Sequence, residues 1–140
     1  MSPLHDAHLV LLSLWGGFVL AEGVVELAAR DDASRRAAAR LHYWMDVLVE
    51  LPLLAGVLAT GGLLAARSWP LTRLHWIKVA AGLAAVAMNL FCVAHVVARQ
   101  RRAGDPAALR RHGRFVKLAA GLGLPFALVA ATLGFAYFRR

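Results

Sequence analysis

The chain has 140 residues, 60% of them apolar and 17% charged, with a formal net charge of +8 and a mean hydropathy of +0.60. An ordinary soluble domain carries about 25% charged residues; this composition, with one cysteine and no glycine period, excludes a disordered tail, a collagen-like fibre and a disulfide-stapled secreted module. What remains is a single unit spanning 1–140, either a very apolar soluble bundle or an integral membrane protein.

Four apolar stretches, each about 20 residues or longer as a bilayer crossing requires, fall at about 7–29, 41–66, 71–98 and 115–138. Lipid offers no partner for backbone N–H and C=O groups, so stretches of this length are expected to be helices, and the expected fold is an all-α integral membrane four-helix bundle. The first stretch reads as a retained span rather than a signal peptide: its head, MSPLHDAH, has no Lys or Arg, and its apolar run outlasts the roughly 7–15 residues of a signal core. It carries His8, Trp15, Glu22 and Glu26. The second carries His42, Asp46 and Glu50, with Pro52 just after them, and the third opens with His75 and Lys78 and ends with Asn89, Cys92 and His95. In the basic segment before the fourth stretch, Asp105 is placed to cap a short helix starting at Pro106. The fourth stretch has no acidic residue; its Ala119, Gly121 and Gly123 suit close helix approach or a dimer contact, and Pro125 suits a kink.

The segments between stretches set the orientation. Arg30, Arg35, Arg36, Arg40, Arg99, Arg101, Arg102, Arg110, Arg111, Arg114 and Lys117 lie on one side, against Arg67, Arg73, Lys78, Arg139 and Arg140 on the other. This asymmetry predicts a multi-pass protein of a bacterial-type inner membrane with both termini away from the cytoplasm. The bland account of the arginines is that they only fix topology. No aromatic-studded groove accompanies them, so nucleic acid is not an expected partner. The lipid bilayer is, and a homo-oligomer or a place in a larger membrane complex fits a unit of this size.

Glu22, Glu26, Asp46 and Glu50 lie inside the expected spans, where an ionisable group costs several kcal/mol unless paired, protonated or ligating a cation. Glu22 and Glu26 stack on one helix face, as do His42, Asp46 and Glu50. Counting inward from the basic end at about 1.5 Å per residue puts Glu26, His42 and His95 at one level, Glu22, Asp46 and Cys92 one turn deeper, and Glu50 with Asn89 deeper still. Imidazole with carboxylate suits a transition metal such as iron, copper or zinc, as one ion or two. The candidate ligands are therefore Glu22, Glu26, His42, Asp46, Glu50 and His95. The competing account is an internal ion-pair network, such as His42 with Glu26 and His95 with Asp46; a metal-ion or proton pathway uses the same residue types. At the opposite end, His8 and His75, with Lys78, are candidates for holding a haem b, with Gly16, Gly17, Gly82 and Ala85 leaving room for a flat ring; the plainer reading makes them interfacial side chains.

The stretches AHLVLLSLWGGFVL, LHWIKVAAGLAAVAMNLFCVAHVVARQRR and RFVKLAAGLGLPFALVAATLGFAYFRR resemble the small four-helix membrane protoporphyrinogen oxidases and the related copper-resistance protein D family. The resemblance implies a b-type haem and porphyrin or copper chemistry, with His8 as the histidine of helix 1 and Lys78 as the lysine that opens helix 3. Taken together, these readings give a membrane metal-binding protein, expected to be a redox enzyme acting on a lipid-soluble substrate such as a quinone or porphyrin. The alternatives are a haem-binding membrane oxidoreductase and a metal-ion or proton transporter.

Overall fold

A computed structural model describes residues 2–137. Four helices run through them: α1 (Pro3–Ala28), α2 (Asp32–Arg67), α3 (Arg73–Arg101) and α4 (Pro106–Tyr137). All four are long and apolar enough to cross a membrane, and the short connections, none longer than the turn from Ser68 to Thr72, make neighbouring helices antiparallel. The chain is an all-α membrane four-helix bundle. The expected end of the fourth span at Phe138, and Arg139 and Arg140, lie outside the described residues.

The helices begin earlier than their apolar stretches because the connecting segments contain good helix starts. Asp31 accepts hydrogen bonds from the backbone N–H of Ala33 (2.9 Å) and Ser34 (2.8 Å), and Ser34 Oγ accepts from Asp31 N–H (3.1 Å), a reciprocal capping box that starts α2 in the middle of RDDASRR. Hydrogen bonding to Ser34 comes first among the causes that hold the exposed Asp31 carboxyl below its ordinary value of 3.8. At the head of α4, Asp105 accepts from Ala107 N–H at 2.8 Å, the cap expected there. The helix it starts is not short, however: Arg, Ala and Leu favour helix, so the turns from Pro106 continue unbroken into the fourth span, with Pro125 inside it.

Within α2, residues Asp46–Glu50 form a single π-helical turn, closed by Leu51 N–H bonding to the carbonyl of Asp46. Pro52, two residues on, has no N–H to give the preceding turn, and a wider turn at this point accommodates that loss. Its consequence for the site is geometric, since Asp46 and Glu50 are both turned inward.

Packing is unusual in its polarity. Val10, Leu14, Leu20, Val24, Leu48, Leu83, Leu122 and Leu128 face outward, as a lipid-exposed surface allows. An apolar cluster of Trp15, Leu54, Val57, Ala85 and Val86 fills the middle of the bundle. Helix α4 packs chiefly on α3, and small residues set that approach: Ala119 is buried, and a Cβ added to Gly123 would stand 3.2 Å from Met88 Cβ. Gly121, by contrast, has open space beside it. Between Trp15 and the arginine-rich end, the interior is occupied by charged residues.

Candidate metal centre

Helix α1 brings Glu22 and Glu26 to the interior, α2 brings His42, Asp46 and Glu50, and α3 brings Asn89, Cys92 and Arg99. The charged members are among the most enclosed residues of the protein: Asp46 is 0% exposed, Glu50 1% and Arg99 2%.

The shallowest layer is an ion pair. Arg99 presents its two terminal nitrogens to the carboxylate of Glu26, Nη1 donating to Oε2 at 2.8 Å and Nη2 to Oε1, a bidentate fork. Glu26 Oε1 also meets His42 Nδ1 at 2.7 Å. A carboxylate oxygen only accepts, so the shared proton sits on Nδ1, and the other ring nitrogen, Nε2, is directed elsewhere.

Nε2 of His42 faces Glu22 Oε2 at 3.4 Å and Asp46 Oδ1 at 3.6 Å. Both separations exceed the roughly 2.7–3.2 Å of an N–H···O bond. They resemble the spacing of two donors on one ion: ligand atoms each about 2.1 Å from a metal at a tetrahedral angle stand about 3.4 Å apart. Glu22, His42 and Asp46 each offer one atom to a group lying within 4.8 Å, so these residues could hold a metal ion. Among the described residues, neither oxygen of Asp46, nor Oε1 of Glu22, meets a hydrogen-bond donor; Glu50, another carboxylate, lies beside both residues.

The deepest layer anchors Glu50. Trp15 Nε1 donates to its Oε1 at 2.9 Å, and Asn89 Nδ2 donates to the same oxygen. The Cys92 thiol lies against His42 and, from the other side, the carbonyl of Val116 at 4.0 Å.

The acidic residues expected to converge, together with His42, therefore meet in one place, in the three depth levels that helix geometry sets. His95 does not join them. Its Nδ1 lies 3.0 Å from Nδ1 of His112, and its ring stacks on Phe115 with centroids 4.6 Å apart, between α3 and α4. The pairing of His95 with Asp46 is accordingly not formed, while that of His42 with Glu26 is. At about 100° per residue, His95 stands about 120° around α3 from Asn89, and Arg99 about 80°, within the inward face. Arg99 is the residue that sequence reasoning placed with the topology arginines. The signal that marks it is its spacing of seven from Cys92 and ten from Asn89, which returns it to the same helical face as those two polar groups.

At the opposite end His8 is buried, and its Nδ1 is 2.8 Å from Thr60 Oγ1 of α2. A Cβ on Gly61 would stand 3.1 Å from its Cε1. His75 Nδ1 pairs with Thr72 Oγ1 at 2.9 Å in a more open position, and Lys78 acts electrostatically on both histidines. Of the small residues near this end, Ala85 is buried in the cluster around Trp15, while Gly16 and Gly17 have open space beside them.

Comparison with known protein families, with characterised proteins and with solved structures gives no match.

Proposed function

We propose that this protein is an integral membrane metal-binding protein whose ion is held by Glu22, His42 and Asp46, with Glu50 as a third carboxylate beside them. The observation that carries the reading is the Asp46 carboxylate, fully enclosed and, among the described residues, with no donor to either oxygen. Buried carboxylates are hydrogen-bonded, protonated or bound to cations. Glu26 is already neutralised by Arg99, so Glu22, Asp46 and Glu50 form an excess of acid that has to be balanced by protons or by a metal. A dication with two ionised carboxylates and a neutral imidazole is balanced, and the third carboxyl then keeps its proton.

The donor set favours iron, zinc or manganese over copper(I), which prefers thiolate and thioether ligands. Glu26 and Arg99 supply the partner that a ligating histidine usually has on its second nitrogen, fixing tautomer and ring orientation. With iron or manganese bound, the site would supply one-electron chemistry at a depth open to a lipid-soluble partner such as a quinone or porphyrin. With zinc, it would supply a Lewis acid. The positive-inside rule puts the arginine-rich end, and with it the metal centre, on the cytoplasmic side of a bacterial-type inner membrane.

The test is elemental analysis of protein purified in a neutral detergent and supplied in turn with iron(II), zinc and manganese(II). Wild type is expected to retain one of them stoichiometrically, and the Glu22→Gln/Asp46→Asn variant, its helicity checked by circular dichroism, is expected to retain none. A wild type that retains no metal leaves the cluster as a protonated structural network, and a double variant that retains it fully moves the site elsewhere; either result overturns the proposal.

A further inference from the structure

A cavity of about 200 Å³ opens between the ends of the helices at the arginine-rich end, bordered by Arg35, Arg99, Arg110, Arg114, Lys117 and Glu26. A space of that size holds several waters, and so a small oxyanion. Its charge is one-sided. Glu26 is already taken by Arg99 and His42. Arg35 and Arg110 share one acid, Asp32, at 3.0 and 3.3 Å. Among the described residues, Arg114 and Lys117 have no acidic partner within ion-pair distance. Arg99, 2% exposed, also keeps its Nε without an acceptor. Gly113 puts no side chain in front of that guanidinium; a Cβ there would stand 3.6 Å from Nη1.

A surface array of arginines needs no ligand, because water solvates each one. Here the array borders a half-open recess whose wall includes the buried Arg99 guanidinium, and cations gathered around one recess repel one another until an anion enters. Guanidinium groups match the oxygens of phosphate in forked hydrogen bonds, and an ammonium adds a point charge. We infer that this cavity is a binding site for a phosphate oxyanion, held by Arg99, Arg114 and Lys117 with Arg35 and Arg110 in support. It lies near the ends of the spans, where both a lipid headgroup and a free phosphate can reach it. The inference does not depend on a metal at His42.

Two arms separate the sources. One titrates inorganic phosphate into protein in neutral detergent by calorimetry; the other measures binding of phosphatidylglycerol from nanodiscs of mixed composition against pure phosphatidylcholine. Binding in the first arm identifies a soluble anion, and binding in the second alone identifies a headgroup. In whichever arm responds, Arg114→Gln/Lys117→Gln, at two exposed positions that bury no side chain in the bundle, is expected to bind about tenfold more weakly or worse. The matched control Arg36→Gln/Arg40→Gln removes the same charge outside the cavity and is expected to bind as wild type does. If the double variant loses helicity, Lys117→Gln alone carries the test with a smaller loss. The inference is overturned if neither probe binds, or if the control weakens binding as much as the cavity variant, which is the result of unspecific attraction.

Discussion

Helices α1 and α2 are tied together twice by a buried histidine, once at each end of the bundle. At one end His8 of α1 meets Thr60 of α2 at 2.8 Å; at the other His42 of α2 meets Glu26 of α1 at 2.7 Å. The rings are similarly enclosed, at 8% and 3% exposure. Their surroundings differ in kind. Thr60 is a neutral hydroxyl that also reaches the Gly56 carbonyl at 2.7 Å, so the His8 contact closes a small satisfied set. Near His42 stand Glu22 and Asp46 besides Glu26's paired carboxylate, and among the described residues three of their four oxygens have no donor. The same contrast extends to the helix ends: Ser2 and Thr72 cap α1 and α3 with hydroxyls, whereas Asp31 and Asp105 cap α2 and α4 with carboxylates. A buried histidine is thus a site or a strut according to whether charged or neutral groups surround it.

The largest effect that would break this contrast comes from Arg99. Replacing it by Met takes the forked cation from Glu26 and leaves that buried carboxylate with His42 Nδ1 alone, a loss of up to about 3–5 kcal/mol for a pair this enclosed. Thermal unfolding in detergent should show that loss, and Glu26→Gln/Arg99→Met should recover most of it; a single variant as stable as wild type would mean the pair holds nothing together. Next is Glu26→Gln, which leaves all three proposed ligand atoms in place but weakens the grip on His42 Nδ1. It should cost about 10–100-fold in metal affinity, the usual effect of altering the partner of a ligating histidine. At the neutral end, His8→Ala removes one hydrogen bond between neutral groups, a change of about 1 kcal/mol, and should leave metal content untouched. Absorbance spectra of oxidised and reduced protein sharpen the point. A Soret band abolished by His8→Ala and kept in Asp46→Asn would reverse the assignment and make the hydroxyl end the cofactor site.

The bundle was legible because its signals are long and redundant: four apolar runs, basic segments between them, and acids confined to two of the runs. The acid levels were legible too, since Glu22, Glu26, His42, Asp46 and Glu50 all follow helical spacing. What the spacing does not carry is rotation between helices. His95 and Arg99 are one turn apart along α3, and which of them turns toward Glu26 depends on how α3 packs against α4, where His95 is held by Phe115 and His112. The π-helical turn was equally out of reach: Pro52 stands in the sequence, but nothing in the spacing shows that the turn from Asp46 to Glu50 is widened.

The smallest expected effect lies at the helix caps and tests the contrast outside the membrane. Asp31 is held below its ordinary 3.8 by the bonds it accepts from Ser34 and Ala33. A carboxyl whose value is lowered on folding contributes stability that is fully present above its unfolded value and fades as pH falls through the folded one. The start of α2 should therefore loosen only below about pH 4, where proton exchange of the Ala33 and Ser34 amides is a local readout. Asp31→Asn keeps an acceptor and should make that exchange insensitive to acid once the intrinsic chemical rate is divided out. The hydroxyl cap at Ser2 gives the matched comparison. Its bond to His5 N–H, at 3.3 Å, involves no titrating acceptor, so protection of that amide should not follow the Asp31 titration. Equal acid sensitivity at both caps would mean that global unfolding, rather than the carboxylate at one end, sets the response.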